Sequence, residues 1–257
     1  MWSFYLFILF VTGHEIVATI AQMYLHPNVL PTLCGILGES ASECHLAPIA
    51  TWADKFKYRM GWSAPLHYVG AVDGYPPDNC AYPGSNGWAG KEHINILDGI
   101  KNVTGLLQDW VNNDASDDTA DEALKFLVHF LGDLHQPLHL TNRERGGNSV
   151  NVTWGGRHTS RVFFFFPLLQ TSNLFILDLH SLWDSFLIAK AVRTVPRKYD
   201  RSLPYPAIEG ALRGAIYDPY IRRILWEGTL DNWADEVKDW LSCTIPAPES
   251  TVVEPGT

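Results

Sequence analysis

The chain has 257 residues, 46% hydrophobic and 18% charged, a composition that buries a core and excludes a disordered chain. Nineteen Lys and Arg against 28 Asp and Glu give a formal charge of −9. That balance excludes a wrapping or sliding nucleic-acid binder, which rests on a basic footprint, but not an enzyme that grips a phosphate through bound metal ions.

The first eleven residues, MWSFYLFILFV, are almost wholly apolar. They are too short to span a bilayer, which takes about 20 residues. Residues 1–12 read as a damaged secretory signal without a basic start or an obvious cleavage site, or as a gene-model artefact; a buried N-terminal helix is the competing reading. Ile16, Val17, Ile20, Ala21 and Tyr24 follow helical spacing and predict a helix over 13–25. Ile49, Trp52, Ala53 and Phe56 mark a short one. A Gly- and Pro-rich loop covers 74–90. Residues 91–111 carry Ile94, Leu97, Ile100, Val103, Leu107 and Trp110 on one face, an amphipathic helix. Residues 120–136 are apolar nearly all round, which predicts a central, buried helix.

The loop 143–156 includes SVNVTW, which alternates like a short strand. Residues 160–178, SRVFFFFPLLQTSNLFILD, form an apolar run too short and too broken by Pro167 for a membrane helix. Three readings stand for it: a membrane-touching loop, a buried strand, or sequence foreign to the mature protein. Residues 178–192 and 207–242 read as helical, the latter broken at Pro219. Residues 246–257 form a Pro-containing frayed tail. The whole predicts an all-α fold: one mainly helical domain over 13–245, with long loops and at most a short β-hairpin.

Chemistry is carried by histidine and aspartate. His129 and Asp133 are four apart in FLVHFLGDLHQPLH, and His180 and Asp184 repeat that spacing in LHSLWD. Residues at i and i+4 share a helix face, so each pair can chelate a metal ion. One such pair is usually a surface ion pair. Two pairs in apolar surroundings point further, because a buried carboxylate needs a partner or a metal. His14, Asp54, His67 and His139 add donors, enough for two or three zinc ions. No Ser–His–Asp order, phosphate loop or dinucleotide fingerprint competes with them.

In this order, WAD, PLHY, HFLGDLHQPLH, GGNSVNV and LHSLWD resemble the zinc-dependent single-strand nucleases of the S-one/P-one type, distant relatives of bacterial zinc phospholipase C with the same all-helical fold. The resemblance implies three zinc ions: one on Asp54, His67, His129 and Asp133, one on His139, His180 and Asp184, and one on His14 and Asp133, with Asp133 bridging and fixing the pair's spacing. It also implies a secreted endonuclease that cuts single-stranded DNA and RNA to 5′-phosphate ends and removes 3′-phosphates. Its partners are nucleic acid and nucleotides. No stable protein partner is implied, and membrane contact through 160–178 is not expected. Tyr68 falls where a family aromatic stacks a nucleobase, with core packing the competing reading, and Lys57 where the family has a basic residue near the phosphate, with a solvated lysine the competing reading; Asn148 in the GGN turn is a substrate contact or serves the turn.

This sequence departs from the family in three places. The family's third zinc also takes an N-terminal Trp five residues before the His; Leu9 stands there, and Trp2 lies twelve residues before His14. The family's His-aromatic-x-Asp becomes His67-Tyr68-Val69-Gly70, with Asp73 the nearest carboxylate that could orient the attacking water. The run 160–178 intervenes before the last His-Asp pair. These departures leave room for two zincs in place of three, and for a catalytically impaired homologue that only binds. A zinc phospholipase C-like phosphodiesterase is a further alternative. Cys80 and Cys243 match the family's long-range disulfide, which leaves Cys34 and Cys44 as a local pair. The sequons at Asn102 and Asn151 fit glycosylation in a secreted protein.

Overall fold

The computed structural model describes residues 12–40, 44–72, 83–84, 86–154, 177–212, 215–240 and 242. Helices α1 (Thr12–Met23), α2 (Val29–Ile36), α3 (Trp52–Phe56), α4 (Ile96–Val111) and α5 (Asp117–Leu134) come first. A helical segment follows, made of α6 (Leu179–Ser181), a π-helical turn (Leu182–Leu187) and α7 (Ile188–Arg193). Then come α8 (Pro206–Leu212), α9 (Asp218–Glu227) and α10 (Val237–Trp240). Among the described residues, strand pairing is confined to two antiparallel bridges, Ala71–Trp88 and Asn151–Asp178. The fold is all-α, as expected.

Helix α5 organises the molecule. The Ser116 hydroxyl accepts the Thr119 amide at 3.2 Å, and Asp117 and Asp118 complement the positive end of the helix dipole. Ala120, Leu124 and Val128 pack with Ala18 of α1, Ile36 of α2, Leu46 and Ala50. Ala123, Phe126 and Phe130 pack on the other side with Ala53 of α3, Val69, and Ile96 and Val103 of α4. A third cluster joins Ile16 and Met23 of α1 to Leu203, Leu212 of α8, and Ile221 and Leu225 of α9. Near the C-terminal end of α5, this apolar burial gives way to His129 and Asp133, both buried.

The structure differs from the periodicity reading in three places. Helix α2 replaces an unassigned stretch, and a 3-10 helix covers Gly61–His67. Helix α4 starts at Ile96, five residues after the expected 91. There Asn95 caps it, accepting the amides of Leu97 at 2.9 Å and Asp98 at 3.2 Å. The break expected at Pro219 is present: one helix ends at Leu212 and α9 starts at Asp218, with Pro219 in its first turn, where its missing N–H forfeits no hydrogen bond.

Residues 1–11, 160–176 and 243–257 lie outside the described residues, and so do Leu9, Asp73, Cys80 and Cys243. Leu177 and Asp178, at the end of the apolar run, belong to the folded core. The Leu177 carbonyl accepts the Val152 amide at 3.0 Å, and Asp178 caps α6 through the Ser181 amide at 2.7 Å. Cys34 and Cys44 form a disulfide that ties α2 to the next segment. Asn102 and Asn151 are both exposed. Among the described residues no helix is long and apolar enough to cross a membrane.

Candidate metal centre

The eight His and Asp residues singled out as ligands come from five separate stretches of chain and meet at the end of α5. Asp133 is the hub. His14 Nε2 lies 3.0 Å from Asp133 Oδ1, and His67 Nδ1 lies 2.9 Å from Oδ2. His129 Nε2 stands 3.2 Å from Oδ2 and His139 Nδ1 3.3 Å from Oδ1. Three groups have donor atoms close enough to share an ion: His14, His129 and Asp133; Asp54, His67 and His129; His139, His180 and Asp184. His180 Nε2 is 3.3 Å from Asp184 Oδ2.

Backbone carbonyls set the tautomers. His129 Nδ1 donates to Ala50 O at 2.8 Å, His139 Nδ1 to His67 O at 2.8 Å, and His180 Nδ1 to Gly146 O at 2.7 Å. In each ring Nε2 is then the nitrogen with the free lone pair. This is the arrangement that orients metal-ligating imidazoles. His129 Nε2 and His67 Nδ1 are 2.9 Å apart, and two imidazole nitrogens that close require a proton or a cation between them. The donor set of imidazole and carboxylate suits zinc.

The charges around the cluster act in both directions: the hydrogen bond to Asp184 pushes the His180 imidazole up. Burial alone would push the Asp133 carboxyl up; with the His129 ring protonated, its charge and hydrogen bonds from His129, His14 and His67 hold the carboxyl well below the ordinary carboxylate range, a place that a bound cation takes over when the rings are neutral. Burial pushes His139 down, toward the neutral, lone-pair-bearing form.

Two supporting residues escaped the sequence reading. The Gln136 side-chain amide donates to Asp184 Oδ1 at 2.8 Å while its oxygen accepts the Leu138 amide at 2.7 Å. Gly132 makes room for His14, whose ring stacks on His129 with centroids 4.5 Å apart. The loop that presents the Gly146 carbonyl to His180 is strained: Glu144, Arg145, Gly146 and Gly147 all have positive φ. Left-handed backbone at the two non-glycines costs roughly 1–2 kcal/mol each.

The substrate candidates sit around this centre. Tyr68 is 53% exposed beside His139 and Gly70. Lys57 Nζ lies 3.8 Å from Asp54 Oδ1 on the surface. Asn148 lines the same cavity as His139 and His180, and its amide donates to Arg145 O at 2.9 Å. Gly70 is walled in: a β-carbon there would stand 2.9 Å from Asn142 Cβ and 3.3 Å from Ala89 Cβ.

A family model described as S1/P1 nuclease matches residues 10–253. Endonuclease 2 of Arabidopsis thaliana is 32% identical over 238 residues, covering 90% of this chain and 68% of the relative. Nuclease P1 of Penicillium citrinum is 37% identical over 187 residues, covering 70% of this chain and 58% of the relative. Nuclease S1 of Aspergillus oryzae is 37% identical over 177 residues, covering 67% and 52%. The chain thus spans little more than half the length of these two fungal relatives. On the family match and these identities, with the resemblance running through the His and Asp cluster, the chain belongs to the S1/P1 nuclease family.

Proposed function

We propose that the chain is a secreted, zinc-dependent endonuclease that hydrolyses single-stranded DNA and RNA to 5′-phosphate products and removes 3′-phosphates from nucleotides. The observation that carries this reading is the convergence of four imidazoles on the single buried carboxylate of Asp133. Asp54, His67, His129 and Asp133 would hold one ion; His139, His180 and Asp184 a second; His14 and Asp133 a third. Zinc held there supplies Lewis acidity toward a phosphodiester and offsets its negative charge, which an acidic chain otherwise repels.

The protein's own groups do the rest. Asp133 sits between the histidines and fixes the spacing of the donor groups. The Ala50, His67 and Gly146 carbonyls keep three imidazoles in the ligating tautomer. The half-exposed Tyr68 ring offers a face on which a base stacks beside the cluster. A paired base would first have to leave its duplex, which favours single strands. Lys57 adds positive charge near Asp54. The Cys34–Cys44 bond and the exposed sequons at Asn102 and Asn151 suit an oxidising, secretory route.

Hydrolysis of single-stranded DNA by the purified chain, in zinc and after chelation, tests the proposal. Chelator-sensitive release of 5′-phosphorylated products is expected. Binding without hydrolysis in zinc-replete buffer would overturn it in favour of an impaired homologue, a reading that the missing carboxylate at Gly70 supports.

A further inference from the structure

Two cavities meet at residues 68–70. One, of about 420 Å³, is lined by His139, His180, Asn142 and Asn148 and belongs to the metal centre. The other, of about 380 Å³, is lined by Trp62, Pro65, Trp88, Lys91 and Ile94. Tyr68, Gly70 and Ala89 line both. Each volume falls in the range of about 300–1,000 Å³ that small-molecule sites occupy.

The partition between them is held by backbone. The Ala89 amide donates to Gly70 O at 2.8 Å, and the Val72 amide to Gly87 O at 3.0 Å. This pairing sets Trp88 opposite Ala71. Because residue 70 is glycine, no side chain fills the partition there; a β-carbon would stand 2.9 Å from Asn142 Cβ and 3.3 Å from Ala89 Cβ. The far cavity is aromatic and open. Trp62 is 61% exposed, its ring tilted against Phe126 with centroids 5.6 Å apart, and Trp88 rests on the core cluster of Val69 and Ile96. Lys91 is exposed and makes no ion pair among the described residues.

We propose that this far cavity is a second nucleotide subsite, taking the base next to the one at the metal centre, with Lys91 meeting the intervening or flanking phosphate. Aromatic faces with a cation beside them are what a single strand needs: stacking tolerates any base and the lysine tracks the backbone. Continuity with the metal centre across Gly70 selects a consecutive nucleotide as the occupant, in preference to an unrelated apolar ligand. The inference rests on the nuclease reading above and makes a strand of two or more nucleotides a better substrate than a mononucleotide.

The test uses the zinc-loaded protein with thymidine 3′-monophosphate, the dinucleotide and the oligonucleotide (dT)4, and compares Trp62→Ala and Lys91→Glu with the parent. Both side chains are exposed, and circular dichroism verifies the fold. The parent is expected to gain kcat/KM from mononucleotide to (dT)4, and each variant to lose about tenfold of that gain. Anisotropy of fluorescein-labelled (dT)4 with cleavage-resistant phosphorothioate linkages, on the zinc-loaded protein, should show a similar loss in affinity. Equal length dependence and equal anisotropy in parent and variants would overturn the subsite. If no substrate is cut, the nuclease reading falls, and the anisotropy comparison alone decides whether the subsite stands.

Discussion

A β-carbon at Gly132 would stand 2.5 Å from His14 Cδ2 and 3.0 Å from His14 Cγ, so the ring of His14 occupies the volume that any other residue would fill. Helix propensity alone favours alanine over glycine by about 1 kcal/mol in a helix interior. Gly132→Ala therefore sets a local gain in helix stability against displacement of His14 from Asp133 and from its stack on His129. The expected result is retained helicity with lowered zinc content, about one ion per chain fewer than the parent by atomic absorption. Unchanged zinc content would show that His14 is not a ligand.

Gln136 orients Asp184 and braces the turn into His139. Gln136→Leu keeps the bulk and removes both hydrogen bonds. Loss of such an outer partner typically costs 10–100-fold in metal affinity. Competition with a fluorescent zinc chelator should show one ion bound about tenfold or more weakly. Parent-like affinity for every ion would remove Gln136 from the site.

The spacing of His129 and Asp133 makes their common face legible in the sequence, because helix geometry is local. The central place of α5 is legible for the same reason. What is not local was hidden. No periodicity shows that His67 and Asp133, 66 positions apart, lie 2.9 Å from each other; only the resemblance brought them together. Gly132 reads as a weak helical residue until His14 is docked on it. Helix α2, with Pro31 and Gly35 inside eight residues, has too little periodicity to announce itself.

Metal removal should destabilise the fold. Binding to the native state alone adds about 4 kcal/mol at a thousandfold excess over Kd. For a chain of this size that corresponds to a fall in Tm of roughly 10 °C when chelator is added. An unchanged Tm would mean that the cluster holds no ion that matters to folding.

Arg222 locks α8 to α9 away from the metal centre. Its guanidinium donates to Glu209 Oε2 at 2.6 Å and Oε1 at 2.8 Å, and its Nε to Asp218 Oδ1 at 2.6 Å. Arg222→Met leaves two carboxylates facing each other without a cation. The expected cost is about 2–3 kcal/mol by urea titration, below the value for a wholly buried pair because both acids keep some solvent. Adding Glu209→Gln and Asp218→Asn should recover part of it. A single variant as stable as the parent would show that the network contributes nothing net.

Gly70 stands where the family's pattern has an aspartate, and the obvious repair is Gly70→Asp. The geometry argues against it. The β-carbon would meet Asn142 Cβ at 2.9 Å and the Asn142 backbone nitrogen at 3.3 Å, atoms that cannot swing aside as the end of a long side chain would. Ala89 Cβ adds a further close approach at 3.3 Å. The surroundings have packed to fit a glycine, so the single substitution should lower kcat/KM on single-stranded DNA, by about tenfold, instead of raising it. Gly70→Asp combined with Asn142→Gly removes the tightest contact and should exceed the single variant. If Gly70→Asp alone is more active than the parent, Asn142 yields easily and the missing carboxylate, not the packing around it, is what limits this chain.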